Sequence, residues 1–105
     1  MIPEETIQEA IALLVNAVSP RRIILFGSHA RGDARADSDL DFLVVKDVVR
    51  NRRAETVHLL RALEPAAIPA DIIVASLELF ETWKNVPGTV LFEVSREGKV
   101  VYEAA

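Results

Sequence analysis

Residues 25–45 read LFGSHARGDARADSDLDFLVV. Apolar runs lead into and out of this stretch, while its middle carries a Gly27-Ser28 pair, a basic tract and the acids Asp37, Asp39 and Asp41. That arrangement predicts two buried strands reaching the surface together, with the charged middle as the candidate site. Upstream, RRIILFG is a short apolar run ended by Gly27, the pattern of a strand covered on both faces. Downstream, DLDFLVVK predicts a second strand with Asp39, Asp41, Leu43 and Val45 on one face and Leu40, Phe42 and Val44 on the other. Between them SHARGDAR is too polar and short for more than a brief helix or structured turn, which Ser28 is suited to cap.

Working outward, Ile7, Ile11, Leu14, Val15 and Val18 form a helical stripe from Pro3 to Val18. Pro3 suits its first turn, Glu4 and Glu5 complement its dipole, and Ser19-Pro20 stops it. Residues 50–65 predict a second long helix, with an apolar edge through Val57, Leu59, Leu60 and Leu63, before ADIIVAS gives a third strand. SLELFETWKNV and GTVLFEVSREG read as helices parted by Pro87-Gly88, and KVVYEA as a last edge strand. The fold class is α/β (α+β): one domain over residues 1–105, with helices on a small mixed sheet of three to four strands.

Composition narrows the functions open to such a domain. Half the residues are apolar and 27% charged, ordinary for a globular chain. A net charge of −4 weighs against gripping a nucleic-acid backbone, which needs clustered Lys and Arg. Cysteine is absent, which removes disulfides and thiolate metal sites. No signal-like segment and no apolar run of about 18 residues is present, so the expected location is the cytoplasm, away from membrane.

The acids then acquire a geometry. Roughly 25 residues containing a helix separate the second and third strands, the length a parallel crossover needs. Asp39, Asp41 and Asp71 therefore fall at one end of the sheet if those strands are neighbours. If the first strand lies antiparallel to the second, Gly27-Ser28 arrives at the same edge. An all-oxygen donor set favours a hard cation, Mg²⁺ above all, because it takes carboxylates together with substrate phosphates. Gly27 permits close backbone approach, and amides after it with the Ser28 hydroxyl suit a phosphate, so the pair of features suits a nucleoside triphosphate. Two rival motifs fail on their letters. A P-loop would need Lys and Ser or Thr where Asp33 and Ala34 stand, and a calcium loop would need glycine at Phe42 and glutamate at Val48.

Gly-Ser, ten residues, then Asp-Leu-Asp resembles the signature of the DNA polymerase beta-like nucleotidyltransferase superfamily. More narrowly, the G-S-x-A-R-G and S-D-x-D elements, the ADIIV strand and the ending LFEVSREGKVVYE are similar to the minimal nucleotidyltransferase (MNT) group. The resemblance implies a nucleotidyltransferase fold in which Gly27 and Ser28 hold the triphosphate and Asp39 and Asp41 bind Mg²⁺. Asp71 would complete the metal site and activate the acceptor hydroxyl. Arg31 would contact phosphate or brace the turn. Ser38 joins the nucleotide-binding set, though fixing the turn suits it better.

The activity so implied moves a nucleoside monophosphate, AMP from ATP, onto a partner protein: the helical HEPN-domain ribonuclease of a toxin-antitoxin pair. Two other readings stand beside it, a binding module that neutralises its partner by covering it and a transferase acting on an antibiotic or other small hydroxyl compound. The helical tail could also support homo- or hetero-oligomers. Among the remaining candidates His29 reads as a turn residue, His58 as a packed or half-exposed one, Phe80 and Trp83 as core or, if exposed together, a partner surface, and Tyr102 as an edge-strand residue.

Overall fold

The computed structural model describes residues 2–105. The elements are α1 (Glu4–Val18), β1 (Arg22–Phe26), α2 (Ser28–Arg31), β2 (Leu40–Lys46) and α3 (Arg52–Leu63), then β3 (Ala70–Ser76), α4 (Leu77–Trp83), α5 (Val90–Glu97) and β4 (Lys99–Glu103). A 3-10 turn over Glu64–Ala66 follows α3 and takes up Pro65. The strands form one mixed sheet in the order β3-β2-β1-β4. β1 runs antiparallel to both β2 and β4, and β2 runs parallel to β3 through the α3 crossover, as the spacing predicts.

Strand alternation divides the core in two. Leu40, Phe42 and Val44 point with Ile23, Leu25, Ile72 and Val74 to one face, where Ile7, Ala10, Ile11 and Leu14 of α1 and Leu59 and Leu63 of α3 cover them. Leu43 and Val45 point with Ile24 and Ala75 to the other face, closed by Phe80 of α4 and Val94 of α5. Helices on both faces explain why these strands read as near-continuous apolar runs. At their outer end the second face loses its helical cover, and there the alternation places Asp41.

Several expectations change in detail. Pro3 is the N-cap of α1 rather than part of its first turn. Only Leu59 and Leu63 of α3 are buried, while Val57 and Leu60 remain exposed, because α3 meets α1 and β3 along one narrow i, i+4 seam. Phe80 is core, but Trp83, three residues on, is 43% exposed at the end of α4. His58 is exposed and Tyr102 is half-buried on the edge strand.

β3 passes into α4 without a loop, and Ser76 makes the join by accepting the Leu79 N–H at 3.1 Å. An N-cap oxygen satisfies an amide that the first helical turn leaves orphaned. Ser76→Ala should therefore lower unfolding free energy by about 1 kcal/mol in chemical denaturation.

Candidate active site

The decisive geometry is a register. Asp41 lies directly opposite Asp71 across the parallel β2–β3 pair and opposite Phe26 across the antiparallel β1–β2 pair. Parallel neighbours share a face, so the two carboxylates project to the same side from strands about 4.8 Å apart. Asp41 is half-buried and Asp71 exposed. Asp39 stands outside β2, on the coil that enters it, and is exposed. The sequence reading placed it within the strand; the ladder begins at Leu40, whose N–H donates to Pro69 O at 3.0 Å.

Electrostatics join the three acids. Burial, first, and then the negative charges of Asp71 and Asp39 push the Asp41 carboxyl above its ordinary value, while His29 and Arg31 pull it down. Asp41 therefore sits in a field that disfavours its own charge, and a cation would relieve it. The donors are all oxygens, which fits magnesium. As placed, no three His, Asp or Glu side chains among the described residues are gathered closely enough to hold an ion by themselves. The three acids expected at one end of the sheet thus appear as a facing pair with a third alongside.

Gly27 completes the edge. Its φ of 74° and ψ of −155° lie in a region open essentially to glycine alone. A Cβ there would run into Asp41 Oδ2 and come within 3.0 Å of Asp41 Cγ. The end of β1 thus presses its backbone against the carboxylate. α2 follows at once, with the Ala30 and Arg31 amides donating to Gly27 O at 3.1 and 3.0 Å. Among the described residues the Ser28 and His29 amides find no acceptor within the chain.

Neighbouring side chains brace this turn. His29 Nε2 accepts the Ile2 N–H at 3.3 Å, which places the ring proton on Nδ1, 3.1 Å from Asp39 O. His29 therefore ties the start of α1 to the backbone of an acid, consistent with a turn residue. Ser38 Oγ accepts the Arg35 N–H at 2.8 Å and so fixes the bend before the acids. Arg31 donates through Nε to Asp33 at 3.3 Å and through an Nη to Glu97 Oε1 at 3.3 Å. The Gly27 N–H donates to the same Glu97 oxygen at 3.2 Å. Glu97 is the residue that sequence reasoning missed. No local motif marks it, although it lies within the ending that resembles the MNT group.

A separate cavity of about 220 Å³ opens between the N-terminal turn of α1 and α2, lined by Ile2, Glu4, Ile7, His29, Gly32 and Ala34. None of the three aspartates lines it.

Known proteins place this edge in context. The family model described as polymerase beta, nucleotidyltransferase matches residues 8–105. A Methanocaldococcus jannaschii protein, provisionally named a protein adenylyltransferase, is 36% identical over 101 residues, covering 90% of this chain and 97% of its own. The crystal structure of a Sulfolobus solfataricus protein provisionally designated a nucleotidyltransferase superposes with a TM-score of 0.67 at 18% identity, over 94% of this chain and 78% of that one. An MNT antitoxin complexed with the tri-AMPylated HEPN toxin of Shewanella oneidensis gives a TM-score of 0.54 at 19% identity, over 96% and 72%. At those identities the two structures speak for the fold alone.

Proposed function

Since the chain belongs to the polymerase beta nucleotidyltransferase family, we propose that it transfers AMP from ATP, with magnesium, to a hydroxyl of a partner protein, and that the partner is a HEPN-domain toxin. The observation that carries the reading is the Asp41–Asp71 register beside the Gly27 turn. It puts acids and a close-approach backbone on one open edge of the sheet.

Asp39 and Asp41 would hold magnesium, with substrate phosphates supplying further oxygens. When bound, the ion supplies positive charge against the triphosphate and the leaving pyrophosphate. The chain's own groups do the remainder. Gly27 and Ser28 receive the triphosphate, and Arg31 stands beside them as a cation. Asp71 is exposed next to Asp41, where it can accept the proton of an incoming hydroxyl. The hydroxyl oxygen then bonds to the α-phosphorus as the bond from that phosphorus to the bridging oxygen breaks. Pyrophosphate leaves and the proton remains on Asp71. Positioning and charge stabilisation account for most of the acceleration in such a transfer.

Two relatives support the choice of acceptor. The archaeal relative is named for transfer to protein, and the Shewanella complex contains an AMPylated HEPN toxin beside its MNT partner. Incubation with ATP labelled on the α-phosphate, Mg²⁺ and a HEPN-domain protein from a neighbouring gene tests the proposal. Label should appear on the partner, and EDTA should prevent it. Neutralisation of the partner without label, retained by an Asp39→Ala variant, would instead establish a module that acts by covering its partner.

A further inference from the structure

We infer that Glu97 is a positioning residue for the triphosphate end of the site, acting through Arg31 and the Gly27 amide. The inference rests on the nucleotide reading above.

Glu97 is the last residue of α5, an awkward place for a carboxylate, because the C-terminal end of a helix carries partial negative charge. Two features hold it there. Gly98 is wedged so tightly between α5 and β1 that a Cβ would meet Val94 O of the helix and Ile24 Cγ2 of the strand at 2.5 Å and Leu25 O at 3.2 Å. β4 then begins at Lys99, opposite Leu25. Continued two residues past that pair, the antiparallel register brings Glu97 beside Gly27. The helix end and the turn are thereby fixed by the same sheet.

The carboxylate is used twice at that point. Oε1 accepts both the Gly27 N–H, at 3.2 Å, and an Arg31 Nη, at 3.3 Å, while Oε2 lies 3.4 Å from the same Nη. A single anion thus sets the direction of the Gly27 peptide and pulls the Arg31 guanidinium across the turn. Asp33 holds the guanidinium from the opposite side. Without Glu97, Arg31 keeps only a partner two residues away and is free to swing with it. The cation would then no longer be presented at a fixed distance from the Ser28 amide and hydroxyl.

Calorimetric titration with Mg-ATP and with inorganic tripolyphosphate, paired with a double-mutant cycle, tests this. Glu97→Ala should weaken both ligands by about tenfold, the scale expected for removing the two partly exposed, charge-assisted contacts it makes at the turn. Glu97→Gln, which keeps the acceptor for the Gly27 amide and Arg31, should recover most of that affinity. The variant lacking both Glu97 and Arg31 should lose less than the sum of the two single losses, since one of the two groups through which Glu97 acts is then already gone. Additive losses, or unchanged affinity in Glu97→Ala, would overturn the inference while leaving the nucleotide reading intact. Tighter binding in Glu97→Ala would overturn it too, by showing that the carboxylate competes with phosphate. Wild-type protein that binds neither ligand would overturn both readings together.

Discussion

Asp41→Asn lowers nucleotide transfer by about a thousandfold or more and, in the absence of divalent cations, raises the melting temperature at neutral pH. The first effect follows from the place of Asp41 in the site. It faces Asp71 in register, touches the Gly27 turn and is the most deeply set of the three acids. An amide at this position keeps the shape but loses the charge that would hold magnesium, and losing one group of this kind removes several kcal/mol of charge stabilisation.

The second effect has the opposite sign for the same reason. Burial and the two neighbouring acids raise the Asp41 carboxyl in the folded state. A carboxyl whose folded value lies above its unfolded one contributes its full share of stability only below the unfolded value, about 3.9. That share is lost as pH rises through the raised folded value. Asn does not titrate, so wild type and variant should melt together near pH 3.5 and diverge as pH rises to 7. Asp41 is only half-buried and therefore partly screened by water, so the gain should be small. Magnesium should close the gap by stabilising wild type alone. Asp39→Asn should raise the melting temperature less than Asp41→Asn does, because it removes only the smallest of the three causes that push Asp41 up. Melting curves in EDTA across that pH range decide the matter, and an Asp41→Asn variant less stable than wild type at pH 7 would refute the electrostatic account.

Much of this geometry could be read from the letters, because it depends on short-range rules. The continuous apolar runs call for cover on both faces, and the crossover length calls for parallel β2 and β3, so Asp41 and Asp71 are expected at one end of the sheet if those strands are neighbours. That they stand directly opposite each other does not follow from those rules. What escaped depends on long-range placement. Whether Asp39 belongs to β2 turns on where Pro69 offers an acceptor to Leu40, a pairing of residues far apart in sequence. The part played by Glu97 arises because β4 returns to the outer side of β1, which sequence periodicity does not encode. Trp83 misled for a related reason. Helical spacing from Phe80 puts it near the core face, but α4 ends at Trp83 and the side chain is left only partly covered.

Gly27→Ala should be the more destructive substitution, since it damages stability and function through one atom. The glycine backbone lies where any other residue is strained, a cost of about 1–3 kcal/mol. The added methyl also points at Asp41, so that either the carboxylate or the turn must move. Either the turn opens, carrying Ser28 away from the acids, or Asp41 is turned out of the site. In both cases transfer should fall by at least about a hundredfold, the scale expected when reacting groups move by an ångström. Gly32→Ala serves as the control. Gly32 has a similar positive φ of 86°, but a Cβ there meets nothing within 4 Å. It should lose less stability, from left-handed strain alone, while keeping nearly all its activity. Equal activity losses in the two variants would mean that backbone strain, rather than the approach to Asp41, makes glycine necessary at residue 27.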